Sequence, residues 1–292
     1  MSNKNIHIIG VASDLGANIA GSRLGPEALR ISGLNQKLCQ LGFQTVDIGN
    51  IRPKDNHDNS SKKDIIYNIN LELKQKCLSA LDNKAIPLVL GGDHSLAIGS
   101  IAASLTKNPN TGIIWVDTHA DINTPDSSPT QNIHGMPVAT LMHNGFESYN
   151  QLIEETLPTK NIVYIGLRDL DQHEKETLKK LNIKFFTMRD IDELGIQGVF
   201  KATKKHLINH VDNIHISFDL DVMDPQQVPG VSTPVPAGLT LREAHLLLEL
   251  LHETGKITAC DFVELNPMND IAGKSAKICI DLIGSAFGSS II

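Results

Sequence analysis

Gly112-Ile113-Ile114-Trp115-Val116-Asp117-Thr118-His119-Ala120-Asp121 is the stretch around which the chain is organised. Residues 112–116 form an unbroken apolar run, which reads as a buried strand. Three metal-capable side chains, Asp117, His119 and Asp121, follow at every second position. That spacing puts them on one side of an extended backbone. Two carboxylates and an imidazole gathered there are costly to bury unless a positive charge lies between them. A divalent metal supplies one. A solvated polar turn is the alternative that this stretch alone leaves open.

Working outward, apolar runs at 6–11, 43–48, 86–90, 162–167, 214–218 and 257–263 also read as strands. Helical signals separate them. Pro26 suits a first helical position and opens a helix through residue 41, ended by Gly42. Residues 64–81 carry Ile65, Ile69, Leu73 and Leu78 at helical spacing. Thr240-Leu241-Arg242-Glu243 has the form of a capping box, with Gly255 ending that helix. Further helices are expected near 137–142 and over 273–286. Residues 52–63 read as a polar surface connection. Residues 123–133 form an irregular polar loop leading to His134, and 224–238 is too long to be a mere connector. This alternation predicts an α/β fold, a parallel sheet covered on both faces. No repeat or linker divides residues 1–292, so one domain is expected.

In such sheets, ligands gather at the carboxyl ends of strands. Five strands end in chemically able residues: His94, after Gly91-Gly92-Asp93; Asp117, His119 and Asp121; Asp169 and Asp171; Asp219 and Asp221; and Glu264. One shared site is the simplest account, although Asp93 or Ser95 alone also reads as a helix cap. Four carboxylates and two histidines are too many ligands for one tetrahedral zinc. They suit two ions of mixed oxygen and nitrogen preference, which favours manganese. Water between two such ions becomes a nucleophile at neutral pH, so metal-assisted hydrolysis of a small carbon or phosphorus centre is expected. There is no Ser-His-Asp arrangement, phosphate loop or dinucleotide fingerprint.

Bulk properties narrow the partners. A net charge of −7 argues against nucleic acid or an anionic membrane surface. No apolar run approaches the roughly 20 residues of a membrane span. Residues 1–10, an apolar piece broken by His7, do not read as a signal peptide. Cys39, Cys77, Cys260 and Cys279 are scattered, which fits core filler in a reduced cytoplasm.

Taken together, Gly91-Gly92-Asp93-His94-Ser95, Asp117-Thr118-His119-Ala120-Asp121, Ser217-Phe218-Asp219-Leu220-Asp221 and Val263-Glu264-Leu265-Asn266-Pro267 resemble the motifs of the ureohydrolases, from Gly10 to about Gly284. The resemblance implies a three-layer αβα fold with about eight mostly parallel strands, and a centre of two Mn2+ ions per subunit. One ion would take His94, Asp117, Asp121 and Asp219. The other would take His119, Asp117, Asp219 and Asp221, with Asp117 and Asp219 bridging. A bridging hydroxide would attack a guanidinium carbon, giving urea and an amine. His134 matches the family's proton-shuttling histidine, Glu264 the carboxylate that pairs with the guanidinium, and Asp121 completes the catalytic set. Asn123, Thr130 and Asn132 match the loop that receives an α-carboxylate, Asp171 the residue facing the α-ammonium, and Thr233 a further substrate contact. L-Arginine is therefore the expected substrate; agmatine, guanidinobutyrate and formiminoglutamate are the alternatives. Arg242 and Glu243 match positions used between subunits, implying a homotrimer or homohexamer. The chain departs from the family pattern at Thr130-Gln131, where Ser-Gly is usual, at Ser232, where Gly is usual, and at Thr118, where Ala is usual.

Overall fold

All seven of the apolar runs are strands in the computed structural model, which describes residues 5–53 and 61–290. They are β1 (Asn5–Val11), β2 (Gln44–Ile51), β3 (Ile86–Leu90), β4 (Thr111–Val116), β5 (Ile162–Leu167), β7 (Asn213–Asp219) and β8 (Ile257–Val263), with the short β6 (Lys184–Thr187) between β5 and β7. The eight strands make one sheet in the order β2-β1-β3-β8-β7-β4-β5-β6. Every neighbouring pair is parallel.

The helices are α1 (Gly25–Ile31), α2 (Leu34–Gln40), α3 (Lys62–Asp82), α4 (Ala97–Lys107), α5 (Pro137–Leu141), α6 (Gln172–Lys180), α7 (Met188–His206), α8 (Leu241–His252) and α9 (Lys274–Ala286). Strand β4 shows why they form two layers. Its alternate residues Ile114 and Val116 pack with Leu29, Leu38, Ile191, Leu247 and Ile283 of α1, α2, α7, α8 and α9. Ile113 and Trp115 face the other way, onto Ile66, Ile98, Val138 and Leu178 of α3, α4, α5 and α6. Burial on both faces is what makes these strands continuously apolar. None of the described helices is long and apolar enough to cross a membrane.

Two local readings change. The single helix expected over 26–41 is two, because Gly33 adopts a left-handed φ of 102° and ends the first after Ile31. Helix α3 starts two residues before the expected 64, where Ser61 and Asp64 form a capping box. The expected connection over 52–63 lies partly outside the described residues. Helix α8 begins as its sequence predicts: Glu243 accepts from the Thr240 amide at 2.8 Å and Thr240 Oγ1 from the Glu243 amide at 3.3 Å. Glu243 thus has a task within its own chain.

The topology decides where chemistry can occur. Strands β7 and β8 return to fill the space between β3 and β4, so β3-β8-β7-β4-β5 are consecutive neighbours. These are the five strands with polar endings. The turn after β3 must pass close beneath β1: a Cβ on Gly92 would sit 2.0 Å from the Ser13 carbonyl oxygen, which is backbone and cannot swing away. Gly92→Ala is expected to destabilise the fold by about 3 kcal/mol, at the upper end of overpacking costs. A denaturation midpoint equal to that of the unsubstituted protein would refute this.

Candidate metal centre and substrate cleft

Each ligand candidate leaves a strand end through a tight turn. Past β3, the Asp93 carboxylate accepts from the Ser95 and Gly16 amides, both at 3.0 Å, so Asp93 is the cap. His94 is left to face the centre. Its ring stacks on Trp115 with centroids 4.2 Å apart, and its Nε2 lies 2.9 Å from Ser217 Oγ. Past β4, Asp117 takes the Trp115 indole N–H on Oδ2 at 2.9 Å and the His119 amide on Oδ1 at 2.7 Å. Past β7, Asp219 Oδ1 accepts from the Asp221 amide at 2.8 Å, and Thr233 Oγ1 donates to Asp221 Oδ2 at 2.9 Å. Asp121 and Glu264 hold positive φ angles of 49° and 62°. Such conformations are sparsely populated for these residue types and cluster at functional sites.

The geometry brings all six expected ligands together. His94 Nδ1 lies 3.1, 3.2 and 3.1 Å from oxygens of Asp117, Asp121 and Asp219. His119 Nδ1 lies 3.1 Å from Asp221 and 3.5 Å from Asp117. The two groups His94-Asp117-Asp121 and Asp117-His119-Asp221 each have the compactness a metal ion requires, and Asp117 belongs to both. Its Oδ2 faces His94 and its Oδ1 faces His119, as a bridging carboxylate would. Asp219 lies on the His94 side through Oδ2 and gives its other oxygen to the Asp221 turn.

The residues fit a cation on two further counts. His94 Nδ1 is buried with no hydrogen-bond partner among the described residues, although three carboxylates surround it. An unpartnered buried nitrogen is costly, and a bound cation repays it. The donors are carboxylate and imidazole with no thiolate, a set for hard or borderline ions. The charges tell the same story. Burial and the charge of Asp117 push the Asp121 carboxyl up to about 6, and burial with Asp221 and Asp117 raises Asp219 well above the usual range. Burial opposes charge on His94 and His119, yet the surrounding carboxylates raise both imidazoles well above their ordinary value. Burial would also raise Asp117, but the two imidazoles hold it low.

Beside this cluster lies a cavity of about 300 Å3, lined by His119, Asp121, Asn123, Thr130, Asn132, His134, Asp171, Asp219, Asp221, Thr233 and Glu264, and also by Ser128, Asp169 and Glu174. The match to known proteins is now informative. The arginase family model matches residues 4–288. The arginase of Bacillus subtilis is 39% identical over 295 residues, covering 99% of each chain, and that of Staphylococcus aureus is 41% identical over 298 residues, again 99% of each. The crystal structure of arginase from Bacillus cereus superposes with a TM-score of 0.94 at 38% identity, covering 99% of this chain and 100% of that one.

The chain belongs to the arginase family.

Within this arginase-family cleft, the Glu264 carboxylate accepts from the His94 amide at 3.0 Å and lies 3.1 Å from His134 Nδ1, both through Oε1. Oε2 is buried and has no hydrogen-bond partner among the described residues. Burial disfavours a charged His134, but the Glu264 carboxylate more than compensates and raises the His134 imidazole to about 9. Asn123 donates to Asp171 at 2.6 Å, joining the loop after β4 to the N-terminus of α6. The departure at Gln131 is accommodated at a φ of 60°, and its side-chain amide donates to the Pro125 and Ser128 carbonyls at 2.7 and 2.8 Å. A loop that glycine would pass freely is here stapled by a side chain. Ser232 accepts from Asn266 at 2.9 Å.

Sequence reasoning missed Glu174. It is buried in the cleft wall, and burial together with the charge of Asp121 raises its carboxyl to about 7. Its signal was available: Asp171 and Glu174 have capping-box spacing at the start of α6. The contact of Trp115 with Asp117 had no comparable signal, because a tryptophan in an apolar run reads as core.

Proposed function

We propose that this protein hydrolyses L-arginine to L-ornithine and urea at a centre of two manganese ions. The observation that carries this reading is Asp117, whose two carboxylate oxygens face two different imidazoles, one buried and one half-buried, beside a cleft ending in a carboxylate oxygen with no partner among the described residues. His94, Asp117, Asp121 and Asp219 would hold one ion, and His119, Asp117, Asp219 and Asp221 the other. Bound ions supply Lewis-acid charge and lower the pKa of water enough for it to act as a nucleophile at neutral pH.

The chain's own residues do the rest. Glu264 receives the guanidinium on its free oxygen, since a planar cation and a carboxylate make strong charge-assisted hydrogen bonds. His134 gives a proton to the departing amine; its Nδ1 is engaged by Glu264, so this falls to Nε2. Asp121 takes up the proton that the attacking water loses. Asn123, Thr130 and Asn132 receive the α-carboxylate, Asp171 faces the α-ammonium, and Thr233 steadies Asp221 against the substrate. We further propose that residues 1–292 act as one catalytic domain, that it assembles as a homotrimer or homohexamer, and that it works in the cytoplasm, for which four unpaired cysteines give support.

Urea release from L-arginine, agmatine and guanidinobutyrate, with formamide release from formiminoglutamate, after manganese loading tests the substrate. L-Arginine is expected to give the highest kcat/KM. Faster urea release from agmatine would overturn the assignment, because an α-carboxylate site would then contribute nothing.

A further inference from the structure

Arg168 directly follows β5 and directs its guanidinium to backbone carbonyls. Its Nη1 donates to Val222 at 3.0 Å, its Nε to Pro236 at 3.2 Å, and its Nη2 to Asp221 at 2.9 Å, Val235 at 2.7 Å and Met223 at 3.4 Å. The Asp221 carbonyl takes a second donor from the turn after β4: the hydroxyl of Thr118, fully buried, at 2.8 Å. The Thr118 amide also lies 3.4 Å from Asp221 Oδ1. In return, the Thr118 carbonyl accepts from the Arg168 and Asp169 amides at 3.0 and 3.2 Å. The packing has no slack, since a Cβ on Gly238 would lie 2.4 Å from the Val222 oxygen and 2.6 Å from Arg168 Nη2.

We propose that Thr118 and Arg168 are positioning residues that fix the Asp221 turn for the ion on the His119 side; this rests on the assignment of Asp221 as a ligand. Three chain segments meet at one carbonyl: the end of β4, the end of β5 and the turn after β7. Through the Val235 and Pro236 carbonyls, the same guanidinium ties in the loop that brings Thr233 to Asp221. A ligand carboxylate is only as well placed as its backbone. Losing an outer contact of this kind weakens metal affinity by about 10- to 100-fold. Val matches Thr in shape but lacks the hydroxyl, so Thr118→Val removes the bond to the Asp221 carbonyl and leaves it under-satisfied.

The test is calorimetric titration of Mn2+ into the metal-free full chain, with the thermal midpoint measured alongside. Unsubstituted protein is expected to bind two ions. Thr118→Val is expected to weaken one site about tenfold or more and to leave the other unchanged, whereas Thr118→Ser, which keeps the hydroxyl, stays within about twofold. A general packing defect would lower the thermal midpoint and shift both sites together. Should Thr118→Val fail to fold, Arg168→Lys carries the same expectation, because an ammonium cannot reproduce the planar fork. Two wild-type affinities in these variants, or equal weakening in the Val and Ser variants, would overturn the proposal. Failure of the ligand assignment would look different: unsubstituted protein binding fewer than two ions, or Asp221→Asn keeping both affinities.

Discussion

Asp117→Asn is expected to lower kcat/KM for urea release by more than about 1,000-fold, a loss of roughly 4 kcal/mol of transition-state stabilisation. The size follows from position. Asp117 belongs to both compact ligand groups among the described residues, one oxygen toward His94 and one toward His119. Asparagine keeps the shape but removes the negative charge and one acceptor, so one ion would lose its ligand and the other would keep only a neutral oxygen. Asp117 is also held by the Trp115 indole and the His119 amide. The asparagine side chain can satisfy only part of that set, and some loss of thermal stability is expected alongside the activity. Steady-state kinetics with bound manganese measured on the same sample decides the matter. A variant that keeps both its metal and its urea production would remove Asp117 from the mechanism.

Glu264→Gln comes next in size. The free oxygen of Glu264 is buried against the cleft, and no group among the described residues pairs with it. Removing one partner of a desolvated charge pair costs about 2–5 kcal/mol, or about 30- to 5,000-fold in kcat/KM. Because Gln retains an oxygen for the His94 amide and the His134 ring, manganese content is expected to stay at the level of the unsubstituted protein. Kinetic loss with intact metal separates a substrate-binding role from a structural one. An unchanged kcat/KM for L-arginine would show that the guanidinium is held elsewhere.

Much of this was legible in the chain because two periodicities carry it. The apolar runs of β3, β4 and β5 are buried at every position, so each reads as a strand without tertiary information. Asp117, His119 and Asp121 repeat at the strand period, and five polar strand endings converge once the strands lie parallel. The strand order could not be read. That β7 and β8 slot between β3 and β4 depends on which helices cover which face, not on any local signal. Local backbone was misjudged where one glycine overrode a helical pattern, as at Gly33. Contacts made by carbonyls were invisible too. Arg168 and Thr118 carry no motif for the Asp221 carbonyl, since the acceptor is backbone and its position exists only in the fold. Gln131 reads in the sequence only as a departure from the family pattern, whereas its side chain supplies bonds that hold the loop together.

The central claim is a centre of two ions sharing Asp117. Crystals of the full chain grown with manganese, with anomalous scattering recorded at the manganese edge, test it most directly. Two peaks are expected, one between His94 and Asp117 and the other between Asp117 and His119. A single peak, or peaks that leave Asp117 without contact to either ion, would contradict the account.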